Sequence, residues 1–436
     1  MTTYLPRWRL SFQENDFAAQ FHALITTDRN DSTDVRATVR DLIQQVRTHG
    51  DQALADLTQR FDQTHIPPGG SRLNLETRDA LAGQISQDQR AALGLAADRI
   101  RAFHDHQRPT DLRYTDQSGV DLGYRWTPIS RIGIYVPGGR AAYPSSLLMA
   151  AIPASVAGVK SIAMTLPAPQ GYLAPLVMAA AQLLGIEEIY QIGGAQAIAA
   201  LAYGTDTISP VDMIVGPGNA YVAEAKRQVF GQVGIDMVAG PSEILIIADG
   251  NQNPDWIAAD LLSQCEHDPS AQAILLTPCA DMLTRVEHAV DQQLAALPSQ
   301  SPARESWQRH GALIHTKDLA HAAALCDAIA PEHLELAVAD PDGLFERICH
   351  AGSVFLGAYT PEPLGDYLAG PNHILPTMGT ARFSGGLGVH TFMKRTTFLS
   401  ANPRALATLG PTTQTLALAE GLPAHAHAIA IRGDQA

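Results

Sequence analysis

The feature of this sequence that most constrains its fold is a repeated alternation, from Arg131 onward, of short β-rich runs with Ala-rich helical stretches. The first four such runs are RIGIYVP, SIAMTLP, EEIYQIG and DMIVGP. Parallel strands need long crossover connections, which are usually helices, so this alternation is typical of a parallel sheet with helices on its faces. Residues 131–242 are therefore predicted to form one α/β domain.

The same alternation resumes after residue 242 and predicts a second α/β layer. Its strand-like runs are EILIIAD, AILLTP, GALIHTK, HLELAV and GSVFLGA. Before residue 131, an irregular arm over 1–30 is predicted to lead into a region dominated by helices, because apolar residues recur there at helical spacing. From about Val389 the chain is predicted to form a small helical tail. The predicted fold class is α/β, with two Rossmann-like parallel-sheet domains.

Composition and charge limit the partners of this chain. Of its 436 residues, 46% are hydrophobic and 17% charged, as in ordinary globular proteins. A net charge of −14 without Lys/Arg clusters argues against nucleic acid or an anionic membrane, and favours a small-molecule partner. Apolar stretches such as LAPLVMAAAQLLGI are shorter than the ~18–20 residues that span a bilayer, so no membrane span is expected. Four cysteines without a C-x-x-C pair, and an N-terminus without the apolar core of a signal peptide, predict a cytoplasmic location.

The stretch LLSQCEHDP places a thiol, an imidazole, an amide and a carboxylate next to one another. Asn253 and Pro254 are typical of a helix start and Asp268-Pro269 of a helix end, so a helix is predicted over about 254–267. At ~100° per residue, Cys265 faces the same side as the apolar residues before it, about 160° away from His267. Cys265 is therefore predicted to be a packing residue. Gln264 and His267 share another stripe, which is either a solvated surface or a ligand site.

Three glycine-containing loops follow predicted strands and open predicted helices. They are GGRAAYPSS, IGGAQAIA and VGPGNAYVAEA. Backbone N–H groups at such helix N-termini can bind the phosphates of a dinucleotide, but tight strand-to-helix turns need glycine in any case. No G-x-G-x-x-G is present. Both a nucleotide site and simple turns remain open from these residues alone.

Three further segments carry candidate chemistry. In PEHLEL, Glu332 and His333 precede an alternating strand and form either an acid/base pair or a surface pair. GDYLAGPNHILP brings Asp366, Tyr367 and His373 into a Gly/Pro-rich loop of the kind that carries function or merely connects elements. EGLPAHAHA contains Glu420, His425 and His427. These residues either contribute to a site or lie on a solvated C-terminal helix.

Four of these side chains have the chemistry of a metal site. Gln264, His267, Asp366 and one tail histidine would supply two nitrogen and two oxygen donors. The two tail histidines lie about 200° apart on a helix, so only one of them can face a given site. A mixed nitrogen and oxygen set suits zinc or a similar divalent ion.

Taken in order, the segments of this chain resemble histidinol dehydrogenases over nearly the whole length. The matching segments are VRTHGDQALADLTQRFD, RIGIYVPGG, YPSSLLM, QIGGAQAIAALAYGT, VGPGNAYVAEAKRQV, AGPSEILIIAD, LLSQCEH, PEHLEL, GDYLAGPNHILPT, GLGVHTFMKR and the Glu420-to-His425 spacing. The resemblance implies a zinc enzyme that oxidises L-histidinol to L-histidine with two NAD, through a bound aldehyde. It also implies a homodimer with shared active sites.

The resemblance assigns a role to each candidate residue. The zinc ligands, with one zinc per subunit, would be Gln264, His267 and Asp366, with His425 contributed by the partner subunit. Glu332 and His333 would be the catalytic acid/base pair. The remaining substrate contacts would be Ser242, His373 and Glu420, beside His333 and the four metal ligands. The cofactor contacts would be Tyr135, Gln196 and Asn219.

These roles divide the chain into four parts. After the arm over 1–30, residues 31–130 and 243–388 would form the main α/β domain with the metal and catalytic residues. Residues 131–242 would bind NAD, and the tail over 389–436 would be exchanged in the dimer to complete the partner's site. Two other functions remain open: a paralogous zinc- and NAD-dependent dehydrogenase of another small polar alcohol, and a binding protein that has lost catalysis.

Overall fold

The computed structural model describes residues 4–27, 29, 35–138 and 143–433. Part of the predicted loop GGRAAYPSS, residues 139–142, lies outside the described residues, as does part of the predicted N-terminal arm. The strands are β1 (Trp8–Ser11), β2 (Leu112–Thr115), β3 (Asp121–Pro128), β4 (Arg131–Tyr135), β5 (Ser161–Thr165), β6 (Glu188–Tyr190), β7 (Met213–Val215), β8 (Gly234–Ile235), β9 (Glu243–Ala248), β10 (Gln272–Thr277), β11 (Ala312–His315), β12 (His333–Ala337), β13 (Ser353–Leu356) and β14 (Met393–Ser400).

Helices connect and cover these strands. They are α1 (Phe17–Thr26), α2 (Val35–Asp62), α3 (Leu75–Ala82), α4 (Gln87–Asp105), α5 (Pro144–Ala157), α6 (Pro175–Leu183), α7 (Gly194–Tyr203), α8 (Ala220–Val229), α9 (Pro254–Cys265), α10 (Ala280–Ala296), α11 (Ala303–His310), α12 (Leu319–Ile329), α13 (Pro341–Phe345), α14 (Glu362–Tyr367), α15 (Pro403–Ala419) and α16 (Pro423–Gly433). None of the helices in the described part of the chain combines the length and apolarity that a bilayer span needs.

Two parallel sheets form the framework, which confirms the predicted α/β class. One has five strands in the order β6-β5-β4-β7-β8, and the other has six in the order β1-β11-β10-β9-β12-β13. In each sheet the order reverses beside a central strand, between β4 and β7 and between β9 and β12. All six residues of β9 and of β10 are buried, as expected for strands covered on both faces.

The two ends of the chain differ from the prediction. The supposed irregular arm contains β1 and α1, and β1 pairs with β11 at the edge of the six-stranded sheet. The supposedly all-helical tail contains β14, which pairs with β3 in a three-stranded antiparallel sheet. Strand β1 is only four residues long, and β14 is exposed at nearly every position. The alternation in β1, WRLS, is therefore too short to identify a strand, and β14, MKRTTFLS, has no apolar alternation.

The connection between β9 and β10 determines where the site forms. A crossover helix runs antiparallel to the strands it joins, so the C-terminal end of α9 returns to the edge of the sheet where the strands begin. Strand β12 lies next to β9, and His333 at its start is opposite Ile244. The end of α9 and the start of β12 are thereby brought to the same edge.

Candidate active site

Glu332 and His333 form a buried pair at the start of β12. The exposed fraction is 6% for Glu332 and 4% for His333. Both are held by the backbone of Glu243: its N–H donates to Glu332 Oε2 at 2.9 Å, and its carbonyl lies 3.0 Å from His333 Nδ1. The Glu243 side chain in turn pairs with Arg29 and accepts a hydrogen bond from the Met378 N–H at 3.1 Å. One residue of β9 therefore orients both members of the pair.

The contact with the Glu243 carbonyl fixes the proton on the His333 ring. A carbonyl only accepts, so Nδ1 must carry the hydrogen, and Nε2 of the neutral ring has a free lone pair. His333 Nε2 is buried and has no hydrogen-bond partner among the described residues. Burial lowers the pKa of His333 to about 4, so the ring is neutral at physiological pH. It is prepared to accept a proton at Nε2.

The carboxyl group of Glu332 has a perturbed acidity. Burial raises its pKa well above the ordinary value, and the charges of nearby carboxylates raise it further. The hydrogen bond from the Glu243 N–H lowers the pKa, but by less than burial raises it. Glu332 Oε2 lies 3.6 Å from His333 Nδ1. A carboxyl group whose pKa is raised is a stronger base when ionised, and so is suited to take a proton from water and give it back.

The side chains of α9 point in the directions that the helical wheel predicts. The polar stripe of Gln264 and His267, however, is exposed to solvent only in part. Cys265 is fully buried in the core under the six-stranded sheet, which confirms its predicted packing role. Burial raises the pKa of this thiol to about 12. Gln264 is fully buried as well, and neither its Oε1 nor its Nε2 has a hydrogen-bond partner among the described residues. His267, just beyond the helix, is exposed.

Helix α14 adds two carboxylates to this end of α9. Ligand atoms of His267, Glu362 and Asp366 all lie within 4.8 Å of one another. Burial would raise the pKa of Asp366, but hydrogen bonding to His373 and the charges of the surrounding histidines outweigh it, and the pKa is lowered. Burial, and then Asp366, raise the pKa of Glu362 to about 9. Without a cation Glu362 keeps its proton and is hydrogen-bonded to Asp366, whereas a bound cation would favour the ionised form of both carboxyl groups.

These side chains fit a divalent metal ion. A buried amide without a partner costs free energy, and Gln264, three residues before His267 in the chain, has two such atoms. The mixed nitrogen and oxygen set is one that zinc accepts. His373 Nδ1 is 3.1 Å from the Asp366 carbonyl and 3.5 Å from Asp366 Oδ1, so it orients this carboxylate. Ser242 immediately precedes β9, at the same edge of the sheet.

The tail residues do not join this group within one chain. Glu420 and His425 are exposed, and the candidate metal group of His267, Glu362 and Asp366 in the described part of the chain includes neither of them. Helices α15 and α16, which carry them, pack chiefly against each other.

Comparison with known proteins gives the family. The family model described as histidinol dehydrogenase matches residues 25–433. The chain is 56% identical to the histidinol dehydrogenase of Rhodospirillum rubrum over 97% of this chain and 98% of that one. It is 54% identical to histidinol dehydrogenase 1 of a Nostoc species, over 97% of this chain and 98% of the other.

The chain belongs to the histidinol dehydrogenase family. Its fold agrees, because the crystal structure of histidinol dehydrogenase from Elizabethkingia anophelis superimposes with a TM-score of 0.94 at 35% identity, over 100% of this chain and 99% of that chain. The resemblance recognised in the sequence is thereby confirmed.

The three cofactor candidates of this histidinol dehydrogenase family member lie at one edge of the five-stranded sheet. Tyr135 ends β4, and its hydroxyl accepts a hydrogen bond from the Gly194 N–H at 3.2 Å. Gln196 is buried in the first turn of α7, and Asn219 caps α8 by accepting from the N–H groups of Tyr221 and Val222. Ligands of open α/β sheets bind at the carboxyl ends of strands where the order reverses, which here is between β4 and β7.

The loop after β7 approaches β4 closely. Gly216 has a φ of +116°, and a Cβ there would lie 2.2 Å from the Tyr135 carbonyl oxygen, so only glycine fits. Its N–H donates to Asp236 Oδ2 at 2.8 Å and its carbonyl accepts from Lys226 Nζ at 2.9 Å. Lys226 and Asp236 form a fully buried ion pair. Side chains therefore hold both polar groups of the Gly216 backbone.

Sequence reasoning missed three buried carboxyl residues around the site. Glu362 precedes Asp366 by four residues, a spacing that places both on one helix face and was a usable signal. Asp260 and Glu335 are hydrogen-bonded to each other, and burial raises their pKa values to about 6 and about 9. They come from α9 and β12, and no local pattern in the sequence connects them.

Proposed function

We propose that this chain oxidises L-histidinol to L-histidine in two NAD-dependent steps, with a bound aldehyde between them. The activity follows from membership of the histidinol dehydrogenase family, which makes the chain an NAD-dependent oxidoreductase of histidine biosynthesis. One observation supports the chemistry most directly: the free Nε2 of a neutral, buried His333 faces the group of His267, Glu362 and Asp366.

In the first step His333 acts as the base. Its Nε2 accepts the proton of the substrate hydroxyl, while the Glu243 carbonyl holds the ring through Nδ1. NAD, when bound, accepts the hydride in each of the two oxidations. Because the ring is buried and held through Nδ1, little reorganisation is needed when the proton moves.

In the second step Glu332 acts on water. Its carboxylate takes a proton from the water that adds to the aldehyde, while the proton that His333 took in the first step passes to the former carbonyl oxygen. His333, neutral again, then accepts a proton from the hydrate as the second oxidation proceeds. The Glu243 N–H, which donates to Glu332 Oε2, keeps the carboxylate in place. Cys265 takes no part, since its thiol lies in the core with a pKa of about 12.

The metal ion would be held by Gln264, His267 and Asp366, together with the partner subunit's His425. Bound zinc would fix the amine and imidazole of the substrate and so orient its hydroxyl. The buried amide of Gln264, which has no hydrogen-bond partner in the described chain, supports this assignment. Ser242, His373 and Glu420 complete the proposed substrate site.

NAD would bind at the edge formed by Tyr135, Gln196 and Asn219. The reversal of strand order between β4 and β7 and the helix N-termini of α7 and α8 support this placement. Burial, and then the charge of Asp268, raise the pKa of Tyr143, which lies just before α5, and Tyr143 in turn contributes to the raised pKa of Tyr367. The N-terminal end of α5 therefore adjoins the metal group.

A homodimer with exchanged tails would bring His425 and Glu420 to the metal group. Within one chain the tail leaves large apolar side chains exposed, including Leu399 at 73%, Leu416 at 61% and Leu418 at 60%. A second copy that covers this surface would bury them and supply the missing donors.

The product ratio tests the proposed function. Purified protein with L-histidinol and excess NAD is expected to form about two NADH per histidinol consumed, because both oxidations occur on one enzyme. A ratio near one, or no turnover of histidinol alongside oxidation of another alcohol, would indicate the paralogous dehydrogenase.

A further inference from the structure

We infer that Arg29, in the segment between α1 and α2, is a positioning residue of the active site: through Glu243 it holds Glu332 and His333 in the geometry that proton transfer requires. The inference deepens the proposed function and rests on it. Arg29 belongs to the arm over 1–30, a segment to which the sequence patterns assign no role.

The first observation is the burial of the Arg29 side chain. Its guanidinium pairs with the Glu243 carboxylate, and the two side chains are 6% and 7% exposed. Another guanidinium nitrogen, Nη1, donates to the Ser270 carbonyl at 3.3 Å, and Glu243 Oε1 also accepts from the Met378 N–H at 3.1 Å. A buried charge is costly unless it is paired and hydrogen-bonded, and both conditions are met on each side of this pair. The planar guanidinium therefore has fixed partners in two directions.

The second observation is the place of Glu243 at the end of a strand. Glu243 is the first residue of β9, and residues 236–242 before it belong to no helix or strand. The ladder to β10 reaches Glu243, opposite Gln272, but the N–H of Glu243 is donated to the Glu332 side chain instead of a neighbouring strand. The ladder thus holds this residue less firmly than those that follow it. The side-chain contacts of Glu243, with Arg29 first among them, complete its support.

The backbone of Glu243 is the common support of the base and of the carboxylate that activates water. Its carbonyl holds His333 through Nδ1, and its N–H holds Glu332. A rotation of the backbone at Glu243 would therefore move both side chains together. Misplacement of a reacting group by about 1 Å costs on the order of 100-fold in rate. Arg29 opposes this rotation through the Glu243 side chain, and so acts on the reaction without taking part in it.

Four variants separate positioning from the effect of an unpaired buried charge. Arg29→Met removes the charge and the donors and leaves Glu243 unpaired, whereas Arg29→Lys keeps the charge. The double variant Arg29→Met/Glu243→Gln has neither charge, and its glutamine still accepts from the Met378 N–H. The matched control is Arg131→Met. Arg131 pairs with Glu188, with side chains 17% and 29% exposed, at the start of β4, and Tyr135 of the cofactor edge lies at the other end of that strand.

Two kinds of measurement are made on full-length, zinc-loaded protein. Steady-state assays at saturating NAD give kcat and KM for L-histidinol and, separately, for L-histidinal, while zinc content and urea unfolding are measured on every sample. A crystal structure of the double variant records the distance from His333 Nδ1 to the carbonyl oxygen of residue 243. Wild-type turnover of L-histidinol tests the proposed function, whereas this distance tests the role of Arg29 independently of turnover.

We expect Arg29→Met to lower kcat for both oxidations about tenfold, with KM for L-histidinol changed less than about twofold, because the base is displaced and binding is not. Arg29→Lys should recover most of the kcat. The double variant should regain the stability that Arg29→Met loses but keep the low kcat, with His333 Nδ1 farther from the carbonyl than the 3.0 Å of the wild type. Arg131→Met should lose stability while its kcat stays at the wild-type value.

Several results would overturn the inference. Recovery of kcat in the double variant, or an unmoved His333 ring, would mean that Arg29 only neutralises a buried charge. A wild-type kcat in Arg29→Met would exclude a positioning role, and a raised KM or loss of zinc with that kcat would assign its effect to binding. Equal kcat losses in Arg29→Met and Arg131→Met would indicate general destabilisation, and no recovery in Arg29→Lys would exclude the ion pair as the cause.

Discussion

At the scale of single residues, the active site depends on which atoms have partners. Cys265 is next to Gln264 in the sequence, yet one side chain packs in the core while the other presents an unpartnered amide. His333 and Glu332 are likewise adjacent, and a single backbone unit of Glu243 orients them in different ways. Residues that are adjacent in the sequence therefore make different contacts, and single substitutions can test the role of each one separately.

Cys265→Ala is expected to retain most of the activity, because the thiol is buried under the sheet with a pKa of about 12. The substitution should lower the free energy of unfolding by about 1 kcal/mol, as for a small loss of buried volume. Steady-state assays and urea unfolding measure the two effects. A variant that still binds zinc but fails to oxidise the aldehyde would show that the thiol takes part in the reaction.

Glu332→Gln should slow oxidation of the aldehyde more than oxidation of the alcohol, since only the second step needs an activated water. His333→Asn should slow both steps by a factor of about 100 or more, because both need the base. Separate assays with L-histidinol and L-histidinal compare the two half-reactions. Equal slowing of both by Glu332→Gln would contradict this division of roles.

A buried histidine outside the site is expected to make the fold sensitive to acid. Burial, with the charge of Arg29 next in size, lowers the pKa of His310 from 6.5 to about 4. At a pH between these two pKa values, His310 is protonated in the unfolded chain and neutral in the folded chain. The free energy of unfolding therefore falls as the pH decreases from about 6.5 toward 4. His310→Gln should reduce the loss of stability between pH 7 and pH 5, measured by urea unfolding. The exposed His288→Gln serves as control and should leave that loss as in the wild type.

At the scale of elements, the loop between β7 and α8 depends on a buried ion pair. Lys226 and Asp236 hold the carbonyl and the N–H of Gly216, and this glycine approaches β4 more closely than any side chain would allow. The position of the α8 N-terminus, where Asn219 lies, follows from these contacts.

Lys226→Met should therefore destabilise the protein by about 3–5 kcal/mol, because it leaves Asp236 buried without its partner. It should also raise the Kd for NAD. The matched control is Arg227→Met, since Arg227 is half-exposed, pairs with Glu224 three residues before it, and should contribute less than about 1 kcal/mol. Urea unfolding and NAD titration would test both, and a similar loss in the two variants would contradict the role assigned to Lys226.

At the scale of the whole molecule, the proposed shared site predicts complementation between two inactive variants. His333→Asn and His425→Asn should each be nearly inactive alone. If tails are exchanged, a mixed dimer unites an intact body from one chain with an intact tail from the other, so about half of its sites should work. Co-expression with two different tags and an assay of the doubly purified dimer measures this. Proven mixing without recovered activity would mean that each tail serves its own body.

The sequence by itself determined the alternation of strands and helices, and therefore the two parallel sheets, because buried parallel strands and their crossover helices have distinct local patterns. It also determined the family, and the inward direction of Cys265, which needs only the period of a helix. The tertiary structure decided what no local pattern records: that β1 and β14 are strands, that the backbone of Glu243 holds both Glu332 and His333, and that Glu362 lies opposite His333. These features join residues that are distant in sequence, through backbone pairing and burial, and such contacts exist only once the two sheets are assembled.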